Sequence, residues 1–191
     1  MEQGIVRIRH DGIGMIDFFK IGKVQAWSRT VCKSYGIFFA AFSVLALWVA
    51  LVFLPGLGGD FILDDKPNIT QNNSLYVEGL DHYSLGYAAM SFPATPGLRP
   101  VAMLSFGLNY WISGGFDVVD FKITNVMIHI FSVIVLFVLF FRALAFLGID
   151  GRVAFFSSLL MALFWGVHPL QVSSVLYVVQ RMQTLATFFL L

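Results

Sequence analysis

Two 19-residue runs without Asp, Glu, Lys or Arg, Gly36 to Leu54 (GIFFAAFSVLALWVALVFL) and Ile123 to Phe141 (ITNVMIHIFSVIVLFVLFF), constrain this chain more than anything else in it. As helices each reaches about 28 Å, close to the ~30 Å hydrocarbon core of a bilayer. Val153 to Val167 (VAFFSSLLMALFWGV) is a shorter third run closed by His168-Pro169, and Met182 to Leu191 opens a fourth. Ten helical residues reach only about 15 Å, so the fourth span is expected to be incomplete and the chain cut short. The expected fold is an all-α polytopic membrane protein. It has three full transmembrane helices, at 36–54, 123–141 and 153–167, and the start of a fourth at 182–191. Composition agrees, at 58% hydrophobic and 12% charged residues, where soluble domains average about 25% charged.

Basic residues set the orientation. Arg7, Arg9, Lys20, Lys23, Arg29 and Lys33 precede the first span, and Arg142 and Arg152 flank the connection between the second and third. By the positive-inside rule, residues 1–35 form a basic cytoplasmic tail. The outer loop 55–122 then carries Asp60, Asp64, Asp65, Glu78 and Asp81. Turn clusters such as "LPGLGGD" and "FPATPG" punctuate it, and "RPVAMLSFGLNYWISGG" reads as a short interfacial helix stopped by Gly114-Gly115. The net charge of +1, with no basic patch interleaved with aromatics, gives no sign of a nucleic-acid partner. A single cysteine, Cys32, excludes an intrachain disulfide and a cysteine-cluster metal site.

Three groups of residues carry possible chemistry. Asp64 and Asp65 in "FILDDKPNI" read on spacing alone as solvated turn acids, or as a general base or metal ligand beside a membrane boundary. Adjacent side chains in an extended segment point opposite ways, so one of the two is expected to face a site. Asn125, His129 and Ser132 share one face of the second span, for helix packing or for a site. Arg99, His168 and Arg181 complete the outer set. Alone each reads as a snorkelling interfacial residue; together they suit a phosphate-bearing ligand. No residues supply an obvious metal cage and no cofactor is called for. Asn68-Ile69-Thr70 and Asn72-Asn73-Ser74 match the N-glycosylation pattern.

Four stretches, "FILDDKPNITQNNSL", "RPVAMLSFGLNY", "FKITNVMIH" and "LFWGVHPLQVSSVLYVVQRMQTLATFFLL", occur in the order expected of one membrane glycosyltransferase family. From about Phe61 onward the chain resembles the amino-terminal portion of the transmembrane, tetratricopeptide-repeat-containing O-mannosyltransferases and their bacterial relatives, of the GT-C superfamily. Residues 36–191 would then be a GT-C-like transmembrane region. The "HPLQ…YVVQRM" form suits a bacterial inner membrane. The resemblance implies transfer of a sugar from a polyprenyl-phosphate carrier to an acceptor protein or glycan on the outer face, with membrane lipid as surroundings. It assigns the catalytic base to Asp64 with Asp65 in support. It places Arg99, His168, Arg181, Asn125 and His129 near the donor phosphate and cavity. Ser173 stands where relatives commonly have Glu, which leaves a second carboxylate in doubt. The chain lacks the family's further spans and repeats, so by itself it is expected to be inactive. The rival readings are a truncated, catalytically inactive membrane protein and a small scaffold or transporter subunit.

Overall fold

The computed structural model describes residues 35–191. The basic tail and Cys32 lie outside the described residues. Seven α-helices are present among those described: α1 (Tyr35–Phe53), α2 (His82–Met90), α3 (Pro100–Ser113), α4 (Val118–Phe146), α5 (Gly151–Gly166), α6 (Gln171–Leu176) and α7 (Arg181–Leu190). No strand occurs in this region.

The first long helix buries a single stripe. Ala41, Leu45, Val49 and Phe53 are shielded at a spacing of four, whereas Phe39, Leu47, Trp48 and Leu51 on the other faces are more than half exposed. A helix apolar on all sides with only one side covered suits a hydrocarbon surround. The same holds for α5, whose buried residues are Gly151, Ala154, Ser158, Ala162 and Gly166 and whose outward residues include Phe156, Leu160 and Phe164. Small residues at that spacing let two helices approach closely, the usual basis of packing within membranes. Gly166 marks the tightest point: an added Cβ would stand 2.8 Å from a Val133 methyl and 3.3 Å from a Val49 methyl. Gly166→Ala is therefore expected to cost about 1–3 kcal/mol through overpacking. Its fraction folded in detergent at rising temperature should fall below that of Ser157→Ala.

The expected span count changes in one respect. Two helices are long and apolar enough to cross a membrane, Gly36–Gly56 and Val118–Phe146, whereas Gly151–Gly166 is apolar but shorter. Its 16 residues reach about 24 Å, short of the ~30 Å core. The second span also runs well beyond 123–141 at both ends. Asp117 caps its start by accepting from the Val119 and Asp120 N–H groups, and this extra turn draws Asp120 and Lys122 into the helix.

Contacts between the helices fix their directions. Phe38 of α1 lies against Phe141 of α4 and Phe155 of α5 at one end. At the other end Phe53 and Trp165 flank His129. Thus α4 runs antiparallel to both neighbours, and Arg142 and Arg152 fall at the end opposite the paired acids. A second apolar core caps that far end, built from Ile69, Leu75, Val77, Ala88, Met103, Phe106, Phe121, Val178 and Val179. Residues 55–122, expected to form an outer loop with one short helix, therefore fold into this cap with two. The unforeseen α2 starts at Asp81, whose carboxylate accepts from the Tyr83 and Ser84 N–H groups. The foreseen helix, α3, is packed by its Ala102–Phe106 face instead of simply lying on a surface.

Candidate active site

The paired acids part ways. Asp65 is 1% exposed. Its Oδ1 accepts from the Val179 N–H at 2.6 Å and its Oδ2 from the Ile62 N–H at 3.1 Å. Burial pushes its carboxyl above the usual carboxylate range, while those backbone N–H groups pull the other way. Asp64 faces outward and is exposed. Its own N–H donates to the Tyr177 hydroxyl at 2.8 Å, 113 residues away in sequence. Leu63, just before the pair, holds a φ of +43°, a left-handed conformation uncommon for a bulky side chain. The turn is thus bent against preference and pinned by bonds from both acids. A single wide π turn follows at Lys66–Thr70.

Those pins land on one short segment, residues 175–182, that also receives most of the other expected site residues. Asn125 in α4 donates from Nδ2 to the carbonyls of Val175, Tyr177 and Val178 at 3.0–3.5 Å. Its Oδ1 accepts from Arg181 Nε at 2.7 Å. Arg181 itself is fully buried. Its Nη2 donates to Asn109 Oδ1 and the Phe121 carbonyl, both at 2.8 Å, and its Nη1 to the Ser105 carbonyl and hydroxyl at 3.1 and 3.4 Å. The guanidinium also lies over the Phe106 ring, 4.5 Å from its centroid. The five N–H groups of an arginine are all taken by neutral protein oxygens. Arg181 ties α3, α4 and α7 together, and its hydrogen-bonding donors do not reach an open face.

Arg99 is different. It is exposed at the start of α3, with Nη1 2.9 Å from the Met182 sulfur and its guanidinium 5.0 Å above the Phe92 ring. Both contacts orient the side chain without neutralising it. His168 sits half-buried in the turn after α5, where its Nδ1 accepts from the Leu170 N–H at 3.3 Å. That bond leaves Nε2 as a donor. No hydrogen bond joins His168 to the Asp64 turn. His129 is buried in the α4–α5 seam, donating from Nε2 to the Gly166 carbonyl at 2.8 Å. Ser173, where a second carboxylate was in question, is exposed with its hydroxyl toward the Leu170 carbonyl. In the glycosylation triplets, Asn72 spends its amide on the Ser91 carbonyl and hydroxyl.

Three participants escaped sequence reasoning. Tyr177 lies inside a quoted motif, yet nothing in sequence links it to Asp64. Burial, with the Asp64 and Asp65 charges adding to it, holds its phenol above the ordinary value, so it keeps its proton and remains a donor. Lys122 donates to the Gly56 and Gly58 carbonyls at 3.2 and 2.6 Å, tying the loop after α1 to α4. A lysine inside an otherwise apolar helix start was the available signal for it. Asn109 gave none, because its partner is 72 residues away.

No family model matches the chain, and no solved structure matches it significantly. Curated proteins do. The chain is 36% identical over 152 residues to Protein O-mannosyl-transferase TMTC4 of Mus musculus, covering 74% of this chain and 20% of that protein. The human protein of the same name is 36% identical over 155 residues, 75% of this chain and 21% of that one. The chain therefore spans about a fifth of the length of these relatives. With two helices apolar enough to cross a membrane, the match points to membrane association. Over about three-quarters of its length, the chain is a relative of the TMTC-type protein O-mannosyl-transferases.

Proposed function

We propose that this chain supplies the catalytic loop of a GT-C-type membrane glycosyltransferase. It moves a sugar, mannose by the relatives' names, from a polyprenyl-phosphate donor to an acceptor hydroxyl on the outer face, with the amino terminus cytoplasmic. The observation that carries this reading is the division of labour in the acid pair. Asp65 is buried and bonded to Ile62 and Val179, and Asp64 is held outward on a bent turn by Tyr177.

Asp64 is the general base. It takes the acceptor's proton as that oxygen attacks the anomeric carbon, and the bond from that carbon to the phosphate oxygen breaks. The electron pair leaves with the polyprenyl phosphate. Arg99, an exposed guanidinium at the start of α3, and His168 through Nε2–H would answer the charge that develops there. Arg181 and Asn125 are positioning residues. They hold residues 175–182, against which the acid turn is pinned.

Asp64→Asn in the full-length enzyme tests the reading, because an amide keeps the shape and cannot accept the proton. Transfer of labelled mannose from polyprenyl phosphate to an acceptor peptide, in membranes with matched protein, is expected to fall at least about 100-fold. Near-normal transfer would show Asp64 to be an ordinary loop residue.

A further inference from the structure

One cleft lies apart from the acid turn. It opens between α4, the α5–α6 corner and α7, has a volume of about 50 Å³, and is walled by His129 and Trp165 on one side. The two rings stack with centroids 5.3 Å apart. That volume holds roughly three or four waters, or the hydroxyl-bearing edge of a sugar ring whose remainder stays outside.

The polarity of the wall is specific. Ser132, Thr184 and Thr187 line it, and each donates its hydroxyl proton to a carbonyl of its own helix, Ile128, Arg181 and Gln183 respectively. What these hydroxyls have left to offer is lone pairs. His129 spends Nε2–H on Gly166, so in its neutral form the ring has a lone pair left at Nδ1. Gln171, Ser174 and Gln183 also line the cleft, and their side chains make no hydrogen bond to any described residue. Polar groups at or near membrane depth are costly unless something polar satisfies them. No Lys, Arg, Asp or Glu lines the space. Gln171, Ser174 and Gln183 add donors to these acceptors, but no cation stands among them to offset a phosphate's charge, so the wall favours a neutral group bearing several hydroxyls.

We propose that this cleft binds a neutral, polyhydroxylated ligand, the hydroxyl edge of a hexose, against the His129–Trp165 stack. The choice of a sugar among such ligands rests on the glycosyltransferase reading; the preference for O–H donors over anions does not.

The test uses the chain in lipid nanodiscs with Trp27, Trp48 and Trp111 replaced by Phe, leaving Trp165 as the reporter. Methyl mannoside is expected to change Trp165 emission saturably, and sodium phosphate is expected to leave it flat. Gln183→Leu should weaken the mannoside response about tenfold, the scale of one lost hydrogen bond, and Asp64→Asn should leave it unchanged. Hydrogen exchange over residues 171–187 of the unsubstituted chain should slow with the mannoside and not with phosphate. This second measurement decides the matter if the three tryptophan replacements impair folding. A flat mannoside titration of folded protein, an equal response to phosphate, or indifference to Gln183→Leu overturns the proposal. Mannoside binding here together with near-normal transfer by Asp64→Asn would instead overturn the role given to Asp64 and leave the cleft standing.

Discussion

Arg181→Met is expected to remove most of the folded protein from the membrane, at a cost of about 3–5 kcal/mol summed over the acceptors it strands. Methionine fills much of the same volume, so the loss comes from polarity and not from a hole. Asn109 Oδ1, Asn125 Oδ1 and the Phe121 and Ser105 carbonyls all lose a donor at once. Each buried acceptor left bare costs about 1–3 kcal/mol. The Phe121 and Ser105 carbonyls keep the N–H donors of their own helices, so the loss falls mainly on the two amide oxygens and the total stays well below four full penalties. Arg181→Lys should be nearly as damaging, since one ammonium cannot reproduce a planar fork aimed at two neighbouring helices at once. Unfolding by SDS titration of purified protein gives the measurement. A methionine variant as resistant as the parent would mean that the guanidinium is not what joins α3, α4 and α7.

Asp65→Ala is expected to release the acid turn while leaving the long helices in place. The Val179 and Ile62 N–H groups would lose their acceptor, for a local cost of about 2–4 kcal/mol. Leu63 would have less reason to keep its left-handed φ. Hydrogen exchange across residues 61–72 should then accelerate, with exchange in α4 unchanged. On the proposed role of Asp64, sugar transfer by the full-length protein should fall with it, because that carboxylate would no longer be held in place. Asp65→Asn retains one acceptor but turns an NH2 group toward a backbone N–H, so its exchange should fall between parent and alanine. Parent-like exchange in both variants would show that the turn holds itself.

What could be read from the sequence divides along physical lines. Uncharged runs announce helices, because the bilayer leaves few other ways to satisfy a backbone; α1 and the middle of α4 were legible for that reason. The start of α4 was not, since the place of Lys122 in the helix rests on the Gly56 and Gly58 carbonyls folding back to it from the loop after α1. The cap helix α2 was hidden by Gly86 and by polar residues that suit a loop equally well. At the site, residue types were legible and their division of roles was not. Two adjacent aspartates look alike until Val179 comes within hydrogen-bond distance of one of them. Arg181 likewise reads as a phosphate ligand until Asn109, Asn125 and Phe121 are seen to occupy it.

The length of α4 carries one more consequence. Its 29 residues measure about 43 Å, some 13 Å more than the ~30 Å hydrocarbon core of a bilayer. Such a rod tilts, or stands proud of the lipid, by an amount the bilayer sets. The cap is fastened to it through Lys122, Asn125 and Arg181, so it travels with the rod. A thinner membrane would lift the acid turn away from the headgroups or lean it over them, and a thicker one would bring it down and upright. With α4 as a span, lipid chain length would become a variable that adjusts how far Asp64 stands from anything carried in the headgroup layer.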